Sequence, residues 1–257
     1  MVTDTDMTMT MTMTMTTGIS MAAIDPFACP EEGFHRLMAW MSPSFPVGAF
    51  TWSHGVEYAV EDGLVRDRDS LIDWVSWILE AGAGRVDADL LRETMATLAR
   101  GDLDHLRAVA EEADALRGTH EMAREAAAQG EAFLRAVTDC WPAPALAPWR
   151  ATLVDLGRPV AYPVAVGLAA AAHGIPVGPV LSATLHALGA NLISAGVRLV
   201  PLGQTDGQRA LAALLPVVAR AARASLTRPW ADLGAAAPMV DWTSMRHETQ
   251  YTRLFRS

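Results

Sequence analysis

The sequence predicts an all-α protein, a single-domain helical bundle of roughly eight to ten helices joined by short connections. Three observations carry this expectation. Apolar residues recur at i, i+3, i+4 and i+7 in one segment after another. Glycine and proline fall mainly between those segments. Apart from a Met-Thr leader, no run of four to eight residues alternates in strand fashion between turn signals.

The elements follow in order. Phe34, Leu37, Met38 and Met41 form the first helical series, which Pro43 and Pro46 stop. TWSHGVEYAVEDG predicts a second helix closing near Gly63. Ser70 is expected to begin the next, with Asp73 as capping partner and Leu71, Trp74, Val75, Ile78 and Leu79 as its apolar stripe, ending at Gly82 and Gly84. A helix over 87–100 turns Leu91, Met95 and Leu98 inward. Asp102 caps another, with Leu103, Leu106, Val109, Ala110 and Ala113 repeating at helical spacing and Gly118 as its terminal glycine. Thr119 opens a helix whose Met122, Ala126, Phe133, Leu134 and Val137 face the core. The three prolines of WPAPALAPWR break the pattern, and apolar helices follow over 162–173, 180–195 and 206–225, the last bent at Pro216.

Composition narrows the function classes. A length of 257 residues is ample for a real core. The net charge of −9 and the lack of a lysine-rich patch argue against nucleic-acid binding, which depends on clustered bases releasing counterions. Cys29 and Cys140 form no metal-spaced or redox pair, which fits a reduced, cytoplasmic compartment. The apolar stretch from Val160 to Ala172 is shorter than the roughly 18 to 20 residues a spanning helix needs, so no membrane is expected there. The opening Met-Thr alternation lacks the charged start and continuous apolar run of a signal peptide. It reads as a disordered low-complexity leader over residues 1–30, with Met21 as an alternative start.

Motifs for catalysis are sparse. His54 and Glu57 stand three apart, His120 adjoins Glu121 and His247 adjoins Glu248, but none has the paired-histidine spacing of a helical zinc site. His173 and His186 lie in apolar helices as core or helix-end residues. There is no nucleophile elbow, phosphate-cradling loop or dinucleotide loop. No metal ligand set and no cofactor are expected.

Three stretches stand out from ordinary connections. Ser42 to Ala59, SPSFPVGAFTWSHGVEYA, combines Pro43, Pro46 and Gly48 after a helix; its plain reading is a helix–helix connection. In VRLVPLGQTDGQRAL, Pro201, Gly203 and Gly207 bracket Gln204, Thr205 and Asp206, and the plain reading is a turn with Thr205 or Asp206 as N-cap. The third is the ending SMRHETQYTRLFRS, Ser244 to Ser257, rich in arginine and aromatic anchors.

Together with GEAFLR at Gly130 to Arg135 and YPVAVGLAAAAHGIP, these stretches resemble the UreF family of urease accessory proteins over about Phe34 to Ser257. The resemblance implies an all-helical protein, not an enzyme, that dimerises and binds the accessory protein UreD, also called UreH. The pair would recruit the GTPase UreG to the urease apoprotein, modulating GTP hydrolysis and nickel delivery. On this reading residues 31–243 are the UreF-like domain and 244–257 a partner-binding tail. The partner-binding candidates are Arg246, His247, Glu248, Tyr251, Arg253, Leu254, Phe255 and Arg256 in the tail, with Gly203, Gln204 and Asp206 and with Pro46 and Gly48. The tail is expected to be ordered by a partner. Two readings from other classes compete: a small helical enzyme using His54 and Glu57 for acid–base work, and a homodimeric structural module unrelated to metal.

Overall fold

A computed structural model describes residues 25–257. Most of the predicted leader, residues 1–24, lies outside the described residues, as does the alternative start at Met21. The described residues form eleven α-helices: α1 (Glu31–Trp40), α2 (Val56–Glu61), α3 (Arg68–Ala81), α4 (Ala83–Arg100), α5 (Leu103–Ala115), α6 (His120–Cys140), α7 (Leu146–Val154), α8 (Tyr162–Ala172), α9 (Val177–Leu199), α10 (Gln204–Thr227) and α11 (Pro238–His247). Single 3-10 turns lie at Ala49–Thr51 and Trp230–Asp232, and there is no strand among the described residues.

The two helices not expected from the sequence are α7 and α11. The proline-rich stretch turns helical because Pro148 falls in the first turn of α7, where a missing N–H leaves no bond unmade. Pro238 opens α11 for the same reason. That helix runs across the expected boundary between domain and tail at residue 244.

Local chemistry sets most other ends. Asp102 accepts from His105 N at 2.9 Å and Thr119 from Met122 N at 3.1 Å, as expected. The third helix starts earlier than predicted. Asp67 is the N-cap, and Ser70 is the N3 residue of a reciprocal capping box. Gly84 belongs to the first turn of α4 rather than to a break. Gly118 is not a left-handed terminator; α5 is capped at Leu116, and Gly118 lies close under the Asp241 carboxylate. At α10 neither Thr205 nor Asp206 caps: Gly203 holds the N-cap position, and both residues lie in the first turn.

The core is centred on α8, whose Pro163 to Ala170 are all buried between α4, α6 and α9. Small residues let the backbones approach: at Gly130 of α6 a Cβ would lie 1.9 Å from the Val160 carbonyl. α9 and α10 are each long and apolar enough to cross a membrane. Here they pack on one another and on α3 and α4. Arg228 closes the far end of α10 by donating at 2.7 Å to both oxygens of buried Asp89 on α4. The first helix departs from expectation. Gly33, Leu37 and Trp40 face inward, while Phe34 and Met38 are exposed. The stripe is rotated because Gly33 lies against Cys29 and Ile175, and Trp40 stacks edge-on with Phe133, Trp141 and His173.

Candidate functional site

The most polar part of the interior lies where α2, α6, α11 and the last five residues meet. α2 begins after Gly55, whose left-handed φ of 79° no side chain adopts easily. A Cβ there would sit 2.8 Å from Thr243 Oγ1 and 2.9 Å from Ser244 N, so α2 and α11 touch at this glycine. The Thr119 hydroxyl, which caps α6, also bonds the Ser244 hydroxyl at 2.7 Å and so joins α6 to α11.

Those contacts place His247, the last residue of α11, between two carboxylates. Its Nδ1 is 2.7 Å from Glu121 Oε2 and its Nε2 is 3.0 Å from Glu57 Oε2. His247 is fully buried and the two glutamates nearly so. Both acids lie in the first turn of a helix, where the amide dipoles favour negative charge. Glu57 also accepts the main-chain N–H of Leu254 at 2.6 Å and of Phe255 at 2.9 Å. Glu121 Oε1 accepts from Arg253 Nη1 at 2.9 Å.

Glu57 receives two main-chain donors and Glu121 an arginine, and each also meets one ring nitrogen of His247, so the two acids, the ring and Arg253 form one buried hydrogen-bonded cluster.

One turn along α6 a second pair repeats the theme. His54 Nδ1 is 3.2 Å from Glu125 Oε2, and Gln129 Nε2 donates to Glu125 Oε1 at 3.1 Å. Ser257 Oγ donates to Glu125 at 3.3 Å, while Ser53 N donates to Ser257 O at 2.8 Å. Burial alone would lower the His54 pKa. The Glu125 hydrogen bond and negative charge outweigh it and hold the imidazole above its ordinary value. His54 also carries a positive φ of 56°, uncommon for a residue with a side chain. Among the described residues its Nε2 meets no hydrogen-bond partner, and His54 lines a small cavity together with Asp87, Arg117, Tyr162 and Asn191. The cavity volume is about 80 Å³, and its polar lining suits water.

The predicted tail residues divide sharply. His247 and Phe255 are buried in the chain itself, Phe255 beneath the Arg198 guanidinium at 4.2 Å. Neither is a surface anchor in this arrangement, and residues 253–257 are held by the chain's own helices. Arg253 is half-exposed and spans from Glu121 to the surface. Arg246 lies over the Tyr58 ring and Arg256 over Trp52, both with exposed side chains. Glu248, Tyr251 and Leu254 are exposed. Of the loop candidates, Gly48 takes a left-handed φ of 71° to open the turn in which Thr51 O accepts from Arg256 N at 2.8 Å. Pro46, Gly203 and Gln204 are exposed and Asp206, in the first turn of α10, is half-buried; these four take no part in the ionic cluster. His54 and Glu57, paired by spacing in the enzyme reading, are not partners: each meets a different partner, Glu125 and His247.

Sequence reasoning missed Glu121, Glu125 and Gln129 as a set. Their spacing of four was visible, and it interrupts the apolar face made by Met122 and Ala126. Among the described residues no group of three or more His, Cys, Asp or Glu is arranged to hold a metal ion.

Fold and centre together define an all-α bundle that uses its polar interior to fasten its own last residues. The chain belongs to the UreF family of urease accessory proteins. The family model for UreF matches residues 65–215. A urease accessory protein UreF of Rhodopseudomonas palustris strain BisA53 is 49% identical over 223 residues, covering 87% of this chain and 92% of the relative. The corresponding protein of strain HaA2 is 52% identical over 233 residues, covering 88% and 95%. That of Granulibacter bethesdensis is 46% identical over 227 residues, again covering 88% and 95%.

Proposed function

We propose that this chain is a non-enzymatic, cytoplasmic scaffold of urease maturation. It binds UreD/UreH and brings the GTPase UreG to the urease apoprotein, modulating GTP hydrolysis and nickel delivery. The observation that carries the reading is the inverted polarity of α11. This helix buries Thr243, Ser244 and His247 beside Val240 and leaves Met239, Trp242 and Met245 exposed. Exposed Tyr251 and Leu254 follow in the next turns of chain. Arg246, Arg253 and Arg256 lie in the same segment of a chain with net charge −9. Aromatic, methionine and arginine side chains on one surface are the usual anchors of a protein interface. We assign this surface to UreD/UreH. Gly203, Gln204, Asp206, Pro46 and Gly48 mark further exposed or turn positions for contact with the assembly. Homodimerisation fits the exposed Phe34 and Met38 on α1.

Co-expression with UreD/UreH, followed by the size and mass of the purified complex, tests the assignment. The variant Met239→Ser, Met245→Ser keeps every buried contact of α11 and is expected to lose the complex and urease activation while retaining its helical circular dichroism. A fully formed complex with this variant would overturn the assignment of the surface.

A further inference from the structure

We infer that the pocket between α6, α7 and the connection into α8 docks an acidic segment of a protein partner: Arg135 and Arg150 hold a glutamate or aspartate side chain while an apolar neighbour rests on Leu134, Leu153 and Val154. The motif GEAFLR, which the ionic cluster does not use, builds the α6 side of this pocket. Gly130 has no side chain, so the Val160 carbonyl can come against α6, where a Cβ would lie 1.9 Å from its oxygen. That approach brings residues 158–160 to the same pocket as Glu131 and Arg135, which stand one turn apart on a single face of the helix. Phe133 turns into the core, and Leu134 is buried beneath the pocket. The α7 helix adds Arg150, Leu153 and Val154.

The lining is cationic in a chain of net charge −9. Arg135, Arg150 and Arg158 face one acid, Glu131. Arg158 donates to Asp114 Oδ2 at 2.8 Å, so its charge is met from α5. Arg150 is half-buried and donates from Nη1 to Thr138 Oγ1 at 3.2 Å, and the Thr138 hydroxyl donates in turn to Leu134 O at 2.6 Å. These bonds orient the Arg150 guanidinium without neutralising it. Arg135 is exposed, and among the described residues neither it nor Arg150 has a carboxylate within ion-pair distance. With Glu131 and Asp114 both counted, one positive charge remains in excess.

The shape selects the occupant. A volume of about 280 Å³ falls just under the range of about 300–1,000 Å³ usual for small-molecule sites, and it suits side chains rather than a cofactor. Guanidinium forks match carboxylates bidentately. A free anion would leave the apolar floor uncovered, including Val154, which is 67% exposed. A nucleic-acid backbone would need a run of cations that this acidic chain lacks. None of these residues belongs to α11 or to the ending, so the site is separate from the surface assigned to UreD/UreH and does not depend on that assignment.

The test is an NMR titration of the whole isotope-labelled chain with the blocked peptide acetyl-LEEL-amide, which offers two glutamates flanked by leucines. Saturable shifts are expected at the Arg135 and Arg150 side-chain N–H groups and at the Val154 methyls, and none with the same peptide carrying glutamine in place of glutamate. Arg135→Gln should weaken binding at least about tenfold, the loss of one charge-assisted contact. Arg107→Gln, which alters an exposed arginine of α5, should leave binding unchanged. Val154→Asp, at an exposed position, sets an acid against the incoming carboxylate and should abolish binding. The absence of saturable shifts would overturn the inference, as would equal binding of the glutamine peptide or affinity that survives both Arg135→Gln and Val154→Asp. Inorganic phosphate that saturates the same resonances while the peptide does not would mark a free-anion site and overturn the docking role.

Discussion

Glu57, in the first turn of α2, and His247, at the end of α11, meet at 3.0 Å although 190 residues separate them. Neither would be stable alone in the interior. Each is satisfied by the other and by neighbours from α6 and the last residues, so the pair ties four parts of the chain into one unit.

Removing the charge from Glu57 should therefore be severe. In Glu57→Gln one acceptor oxygen replaces two, and the new amide presents an N–H to a donor. Leaving a buried partner uncompensated costs about 3–5 kcal/mol. Urea titration of the variant should show a loss of that order, with increased protease sensitivity after Arg253.

The His54–Glu125 pair predicts a pH dependence. The His54 pKa is raised in the folded chain, so the native state binds its proton more tightly than the unfolded state. The stabilisation is complete below the unfolded value of about 6.5 and is lost as pH rises through the higher folded value. Denaturation midpoints compared below pH 6.5 and in the alkaline range should decline less steeply for His54→Gln than for the native chain.

The approach of α6 to the start of α8 predicts opposite results for two glycines. In Gly130→Ala the new methyl would meet the Val160 carbonyl at 1.9 Å, so helices must separate. The destabilisation should reach or exceed about 1–3 kcal/mol, outweighing the gain in helix propensity. At Gly189 the nearest atoms are 3.6 Å away on leucine side chains. Gly189→Ala should be neutral or stabilising by up to about 1 kcal/mol. Paired thermal melts check both.

Thr119 predicts a loss larger than an ordinary cap. Thr119→Ala removes the bond to Met122 N and leaves the buried Ser244 hydroxyl without this partner. Cap loss is about 1 kcal/mol and an unmet buried hydroxyl adds about as much again. Thr119→Ser keeps both bonds and should recover most of the difference by chemical denaturation.

Much of the fold was legible because it is locally encoded. Asp102 and Thr119 cap where their side chains can reach the third amide, and the stripe of Leu106, Val109 and Ala113 is buried as its spacing implies. Reading failed where context reverses local preference. Phe34 and Met38 extend a helical apolar series yet face outward, because close packing at Gly33 and Trp40 sets the rotation of α1. α11 escaped recognition because three of its four buried residues, Thr243, Ser244 and His247, are polar while Met239, Trp242 and Met245 face outward, contrary to the pattern on which helix recognition depends.

By itself the sequence determined the helical class, the starts of α5, α6 and α8 and, through its motifs, kinship with the UreF family. Those properties depend on residues a few positions apart or on likeness along the chain. The ionic centre was decided only by tertiary structure. His54, Glu57, Glu121, Glu125, His247 and Arg253 span 200 residues, and whether an acid is solvated, capping or paired depends on what folding brings within about 3 Å of it. The ending that reads as a free, partner-seeking tail is thus, in its last five residues, a fastened part of the bundle, because the carboxylates that hold it are supplied by helices far away in sequence.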